Sequence, residues 1–315
     1  LGVYFKENKE SNQLIEEFML LANRKVAELV GKQKPGNERF PFVYRIHDKP
    51  NQEKLDNFRT FITRFGYKLS GESSRQLGKS LNSLMDEVRG KPEQNLIETL
   101  ALRSMAKARY SANNIGHYGL AFPFYTHFTS PIRRYPDMMV HRLLAHYLSN
   151  GKPKDKEQIE LLCKHASEME IRATEAERAS IKYKQVEFMQ DKVGQVFMGV
   201  ISGVTNFGIF VELSDSQCEG LVAMRDLDDD YYQFDEETYA LVGKRTGRRF
   251  QLGDPLKVEV WRTNLAKKQL DFRLVDGEVH PGNSQLQVNR PQRAKKGSGS
   301  KTHSMSRSTS KRRKK

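Results

Sequence analysis

Two adjacent arginines stand in the stretch THFTSPIRRYPDMMVHR, residues 126–142. Ser130 followed by Pro131 is typical of a helix start, because a hydroxyl can cap the first turn and proline has no N–H to lose there. The free N–H groups of a helix start favour anions, and the guanidinium groups of Arg133 and Arg134 offer paired donors that suit phosphate oxygens. Taken alone, the pattern allows either a phosphate-binding site or a structural salt-bridge node.

The elements around this stretch are mostly helical. Because proline breaks a helix interior, Pro136 predicts a short turn that ends near Tyr135 and a second helix from Met138 to Leu148. Apolar residues at helical spacing predict further helices over 11–31, 51–65, 76–89, 93–109 and 155–190, and an alternating pattern predicts a short strand within 39–50. The first 190 residues therefore read as one mostly helical segment.

A different pattern begins near residue 191. Short alternating runs with glycine bends favour a small closed barrel. Phe197, Phe207 and Phe210 lie among them, and Lys267 and Lys268 follow on a late run. Exposed aromatic rings beside cations could stack the bases of single-stranded nucleic acid, or the rings could simply fill the barrel core.

The acid-rich run RDLDDDYYQFDEE, residues 225–237, lies within the predicted barrel. It lacks the central glycine and the final glutamate of a calcium-binding loop. We therefore predict a solvated loop.

Charge is concentrated at the end of the chain. The net charge is +14, and residues 277–315 carry eleven Lys and Arg against one acid, which leaves +4 for the first 276 residues. We expect a disordered basic tail over 277–315, either a solubilising terminus or a tether for phosphates. Cys163 and Cys218 form neither a disulfide framework nor a zinc pattern. The chain does not begin with Met, so we expect it to start inside a longer protein.

The run GQVFMGVISGVTNFGIFVELSDSQCEGLV resembles the S1-type OB fold, an RNA-binding barrel, over about residues 192–276. The resemblance implies that Phe207 and Phe210 stack on RNA and that Lys268 makes a basic contact, and it favours the stacking interpretation for Phe197. Two positions depart from the pattern, since Ala223 and Asn264 replace the usual His and Asp.

The segment HYGLAFPFYTHFTSPIRRYPDMMVHRLL resembles the RNase II/RNase R family of exoribonucleases, as do IEEFMLLANRKVAE and PFVYRIHDKP. The resemblance covers residues 1–276 and implies a cytoplasmic, Mg²⁺-dependent enzyme that hydrolyses single-stranded RNA from its 3′ end to nucleoside 5′-monophosphates. By position, Arg133 matches the catalytic arginine at the scissile phosphate, and Arg134 would support it. By position, Glu177 matches a carboxylate that the family has near its RNA channel. Tyr44, Arg45 and His47 are candidates for lining that channel, or they are ordinary strand residues.

One departure from this family limits the expected activity. The family binds its metal ions through an aspartate cluster of the form D-x-x-x-x-x-D-x-D-D, which this sequence lacks. We therefore expect the C-terminal part of such an enzyme, with no metal ligands of its own and little or no cleavage alone. A non-catalytic single-stranded RNA-binding protein with a degenerate nuclease scaffold is the alternative.

These observations predict an α+β chain in three parts. Residues 1–190 form a partial, mostly helical nuclease domain, residues 191–276 form the S1-type OB barrel, and residues 277–315 form the tail. We expect the helical part to expose an apolar face. No run of apolar residues approaches the length of a membrane span, and nothing in the sequence indicates an oligomer.

Overall fold

The computed structural model describes residues 2–4, 7–32, 40–71, 74–91, 93–236 and 238–275. The first part of these residues is mostly helical and contains two short strands. Its elements are α1 (Glu10–Gly31), β1 (Tyr44–Ile46), α2 (Gln52–Thr63), α3 (Ser74–Val88), α4 (Gln94–Ser104), β2 (Arg109–Ser111), α5 (Tyr135–Leu148) and α6 (Lys156–Met189). The strands of the second part are β3 (Val196–Thr205), β4 (Gly208–Leu213), β5 (Glu219–Ala223), β6 (Tyr232–Asp235), β7 (Ala240–Gly243), β8 (Arg249–Gln251), β9 (Pro255–Asn264) and β10 (Gln269–Leu274). The predicted α+β class is confirmed.

The helical part has two apolar cores. One gathers α1, the β1–β2 ribbon, α5 and the start of α6, and the other gathers α2, α3 and α4. The predicted exposed apolar face is present on α1, whose outward side chains include Leu14, Ile15, Phe18, Leu21 and Leu29. These side chains recur at helical spacing on the side of α1 away from the core.

The helix predicted over 93–109 is shorter than expected. α4 ends at Ser104, and residues 109–111 instead form β2, which pairs antiparallel with β1 so that Arg45 lies opposite Tyr110. Pairing with a distant strand overrides the local helical pattern here. This short ribbon carries much of the candidate site described below.

Helix α6 joins the two parts of the chain. With 34 residues it is about 50 Å long. Ile159 and Cys163 near its start are buried in the first part, whereas Val186 and Met189 at its end are buried in the barrel core. Its middle turns are exposed, so the two ends of one helix anchor both cores.

The predicted barrel is confirmed. Five strands close in the order β10-β5-β4-β3-β9 around an apolar core, and β6, β7 and β8 form a separate antiparallel sheet. The predicted division at residue 190 falls in the single turn between α6 and β3. The predicted tail, residues 277–315, lies outside the described residues.

The acid-rich run is not simply a solvated loop of the barrel, which corrects our prediction, because part of it forms β6 of the separate sheet. Asp230 accepts hydrogen bonds from the backbone of Arg245 and Thr246, and Asp229 pairs with Arg248 at 2.8 Å. Burial alone would raise the pKa of Asp230, but the hydrogen bonds it accepts hold that pKa well below its ordinary value. These aspartates anchor the turn between β7 and β8.

Candidate nucleic-acid interface

The loop that carries the two arginines ends in the predicted second helix. Residues 131–133 form a turn, and α5 begins at Tyr135 with Pro136 in its first turn. Proline is well placed there because the first helical N–H groups have no partner within the helix. The backbone N–H groups of Arg133 and Arg134 both donate to the Ser130 carbonyl oxygen, at 3.3 and 3.1 Å. The loop is therefore closed on itself at the start of α5.

The two arginines have different environments. Arg134 donates through Nη2 to Oδ1 of Asp137 at 2.9 Å, and the same oxygen accepts the Ser130 N–H at 2.8 Å. Asp137 is fully buried, while the Arg134 side chain is 21% exposed. Arg133 is exposed, and its guanidinium makes no hydrogen bond or ion pair with any described residue. Of the two interpretations that the sequence left open, Arg134 forms the salt-bridge node and Arg133 offers the free guanidinium.

A distant asparagine holds the loop in place. Oδ1 of buried Asn23 on α1 accepts the N–H groups of Phe128 and Thr129, at 2.9 and 3.2 Å. Its Nδ2 donates to the Tyr125 hydroxyl at 3.2 Å. On the other side, Nε2 of His141 on α5 donates to the Phe128 carbonyl oxygen at 2.8 Å. The approach to the arginines is thus fixed by α1 and α5 together.

Beside the loop lies a group of aromatic and charged side chains. The Arg45 guanidinium sits 4.6 Å from the centre of the Tyr110 ring and pairs with Glu170 of α6 at 2.5 Å. The hydroxyl of Tyr110 is 2.8 Å from Nδ1 of His127. Burial, aided by the charges of Arg134 and Arg45, lowers the pKa of His127 to about 3. His127 is therefore a neutral hydrogen-bond partner at ordinary pH.

The hydroxyl of Tyr110 is held in its neutral form as well. Burial raises the pKa of Tyr110 to about 12, against the opposing effect of the Arg45 charge. Since Tyr110 and His127 are both neutral, the cations of this group are its arginines. Arg45 and Arg134 are each paired with a carboxylate, so the surplus positive charge of the group belongs to Arg133.

Two expected channel residues are placed in structural roles. Tyr44 is buried, at 6% exposure, because the alternation of β1 turns Tyr44 and Ile46 inward and Arg45 outward. His47 donates from Nε2 to the Ala106 carbonyl oxygen at 2.7 Å and accepts the Gly119 N–H at Nδ1, at 2.9 Å. Both ring nitrogens of His47 are therefore engaged by backbone, and neither it nor Tyr44 offers a free group to a channel.

The carboxylate that α6 brings to the arginine group is Glu170, and the role of Glu177 in an RNA channel stays a prediction. Glu177 lies seven residues further along α6, about 10 Å along the axis, and makes no polar contact with the described residues. Three further members of the group, Tyr110, His127 and Asp137, were not predicted from the sequence. Only Asp137 left a local signal there, a carboxylate at i+3 from Arg134 on a helix start.

The aromatic residues predicted to bind RNA on the barrel differ in their exposure and packing. Phe207 is 54% exposed, and its ring meets that of Phe210 edge-on with centroids 6.0 Å apart. Phe197 instead packs against the barrel core opposite Val258 of β9. Lys268 is exposed, with a left-handed backbone in the turn between β9 and β10. Phe207 and Lys268 are thus exposed to a ligand, whereas Phe210 and Phe197 are each half-buried, and Phe197 packs against the core.

The part of the chain that the structure describes does not fit the metal ion that the family resemblance implies. It contains no group of three or more His, Cys, Asp or Glu side chains that could hold one. The two acids of the arginine group, Asp137 and Glu170, each pair with an arginine. No helix in the described ranges is both long enough and apolar enough for a membrane span.

Comparison with known proteins agrees with this architecture. Residues 1–150 match the RNB domain and residues 190–274 match the S1 RNA binding domain. The chain is 38% identical over 307 residues to Ribonuclease R of Escherichia coli, covering 94% of this chain and 37% of that protein. It is 40% identical over 279 residues to Ribonuclease R of Aquifex aeolicus, covering 87% and 39%. The chain therefore spans little more than a third of each of these relatives.

Solved structures give the same picture. Mycoplasma genitalium RNase R in complex with ribose methylated single-stranded RNA superposes with a TM-score of 0.75 and 26% identity, covering 86% of this chain and 43% of that one. Yeast Ssd1, a pseudonuclease, superposes with a TM-score of 0.56 and 25% identity, covering 79% and 29%.

Proposed function

We propose that this chain, a member of the RNB-domain family and homologous to part of ribonuclease R, is the RNA-binding C-terminal part of a 3′-to-5′ exoribonuclease. Its substrate is single-stranded RNA, which the parent protein hydrolyses to nucleoside 5′-monophosphates in the cytoplasm. The observation that carries the proposal is the contrast within one loop. Arg134 pairs with buried Asp137, whereas the guanidinium of Arg133 is exposed and has no partner in the part of the chain that the structure describes.

The side chain of Arg133 is of the type that stabilises a phosphate whose negative charge increases during a reaction. Its guanidinium is permanently charged and is not already neutralised by a carboxylate among the described residues. A donor fixed where negative charge accumulates stabilises the transition state more than the bound substrate. The backbone that carries Arg133 is fixed from both sides, by the Arg134–Asp137 pair and by the hydrogen bonds of Asn23 to Phe128 and Thr129.

Other residues of the chain position RNA rather than react with it. The Arg45–Glu170 pair joins β1 to α6 next to the arginine loop. On the barrel, exposed Phe207 and half-buried Phe210 offer rings to bases. Mg²⁺ would supply charge neutralisation in the parent enzyme, but the described residues offer it no site. We accordingly expect the 315-residue chain to bind RNA and to cleave little or none.

The test replaces Arg133 with alanine in the protein translated from its complete reading frame. Release of mononucleotides from single-stranded RNA should fall about 10²- to 10³-fold, while the RNA dissociation constant changes by less than about threefold. Arg142→Ala is the matched control, because Arg142 is an exposed arginine about two turns along α5. Equal losses of affinity and rate, or an equal loss of rate in the control, would overturn the assignment.

A second candidate function is non-catalytic binding of single-stranded RNA. It is favoured by the similarity to yeast Ssd1, a pseudonuclease, and by the lack of a metal-binding group among the described residues. The same experiment separates the two functions. If the protein from the complete reading frame binds RNA but releases no mononucleotide with Mg²⁺ present, the binding function is the correct one.

A further inference from the structure

The only tryptophan of the chain faces outward beside an irregularity in the barrel. Between β9 and β10, Arg262 pairs with Asp271 and Val260 pairs with Phe272, so Trp261 is an extra residue in a β-bulge. Alternation along β9 already places Trp261 on the outer face, and the bulge places the next residue, Arg262, outward as well. Val260 and Phe272 point into the core, whereas Trp261 is 45% exposed.

The exposed indole ring is held by a cation. The Arg273 guanidinium lies 3.4 Å from the centre of the Trp261 ring, a close cation–π contact. Next to Trp261, Arg262 donates to Asp271 from Nε and Nη2, at 3.0 and 2.8 Å. The ring is therefore oriented before any ligand arrives, and one arginine already lies over it.

The surrounding charge favours a polyanion over an apolar protein partner. The segment from Pro255 to Leu274, which forms the β9–β10 hairpin, contains five Lys or Arg and two Asp or Glu. One of the two acids, Asp271, is already paired with Arg262. An exposed aromatic ring among unneutralised cations is the combination that stacks a base and attracts its phosphates.

The tryptophan also lies in line with the phenylalanine pair. Neighbouring strands place Phe210 opposite Leu221, Leu221 opposite Asp271, and Asp271 opposite Arg262. Three strand spacings separate Phe210 from Arg262, which amounts to roughly 14 Å. A single strand that occupies several nucleotides of an OB-type barrel can span this distance.

We propose that Trp261, oriented by Arg273 and flanked by Arg262, is a second base-stacking site for single-stranded RNA on this barrel. The site extends the surface of Phe207 and Phe210 across the sheet to the β9–β10 hairpin. This inference rests on the proposed RNA binding of the chain.

The tryptophan itself provides the assay, because it is the only one among 315 residues. Its fluorescence, excited where tyrosine does not absorb, is followed while the full chain is titrated with oligouridylate of about twelve nucleotides. Stacking should quench the emission. An abasic oligonucleotide of the same length, which keeps the phosphates, should bind more weakly and leave the emission unchanged.

Variants separate stacking from simple apolar contact. Trp261→Leu, which keeps a large apolar side chain without a ring, should weaken oligouridylate binding about 5- to 150-fold, and Trp261→Phe should stay within a few-fold of the original protein. Tyr231→Ala is the matched control, because Tyr231 is an exposed aromatic residue of the same part, outside the hairpin. Circular dichroism verifies that each variant is folded.

The outcomes distinguish this inference from the proposed function. Quenching together with the loss in Trp261→Leu supports the stacking site. If RNA binds with unchanged emission and Trp261→Leu retains full affinity, the site is refuted while RNA binding by the chain stands. If no RNA binds even to the original chain, the inference fails together with the RNA binding of the proposed function.

Discussion

Replacing Arg134 with alanine tests whether the arginine loop is built as described. The change leaves the carboxylate of Asp137, which is fully buried, with only the Ser130 N–H as a partner. Removing one partner of a buried ion pair costs about 3–5 kcal/mol. Because the Arg134 side chain is 21% exposed, water already screens part of the attraction, and we expect the lower end, about 3 kcal/mol.

Hydrogen–deuterium exchange read by mass spectrometry measures this effect locally. Peptides from residues 135–148 report the opening of α5, and about 3 kcal/mol corresponds to exchange that is roughly 150-fold faster. Arg133→Ala is the internal control, because Arg133 has no partner among the described residues and its loss should change stability by less than about 0.5 kcal/mol. Peptides from the barrel, residues 255–274, should exchange at the same rate in both variants.

The double variant Arg134→Ala with Asp137→Asn identifies the cause. An amide in place of the carboxylate needs no counter-charge and can still accept the Ser130 N–H, so most of the lost protection should return. The reasoning is refuted if Arg134→Ala and Arg133→Ala accelerate exchange equally, or if the double variant is no better protected than Arg134→Ala.

Three further predictions concern a buried histidine, a glycine in close contact with a neighbouring strand, and the two buried cysteines. Folding lowers the pKa of His127 to about 3 from an unfolded value near 6.5, so the unfolded chain binds more protons between those pH values. The free energy of unfolding, measured by urea titration, should therefore fall by about 2 kcal/mol from pH 7 to pH 5. This part of the pH dependence should be lost in His127→Gln. Gly208→Ala should lower the urea midpoint more than Gly194→Ala. Both glycines have a positive φ that strains alanine, but only a Cβ at Gly208 would also press on the Val222 carbonyl oxygen, whereas one at Gly194 meets open space. Burial raises the pKa of Cys163 to about 12, so this thiol and that of buried Cys218 should react with a thiol reagent only after urea unfolding.

The sequence predicted the elements whose signals are local. Apolar spacing gave α1, α2, α3 and α6 to within a few residues, and Pro136 marked the start of α5. Alternation with glycine bends gave the closed barrel. These features depend on residues within one or two turns of each other, where periodicity and backbone restrictions act directly.

Long-range pairings could not be predicted in this way. Strand β2 forms only because β1 pairs with it, and Glu170 reaches Arg45 because α6 packs against that ribbon. The outward position of Arg262 beside Trp261 depends on a bulge that one extra residue introduces between two paired strands. In each case the deciding partner is a residue that local spacing does not name.

Asn23 shows why the candidate site depends on the whole fold. Its Oδ1 accepts two backbone N–H groups of a loop that lies 105 and 106 residues away in sequence. Without Asn23, those N–H groups would be partly buried with no partner, at about 1–3 kcal/mol each. The loop would then lack its restraint toward α1, and Arg133, which has no partner of its own among the described residues, would keep its charge but lose its fixed position. A phosphate-binding site of this kind therefore depends on the side chains that hold its backbone as much as on the arginine itself.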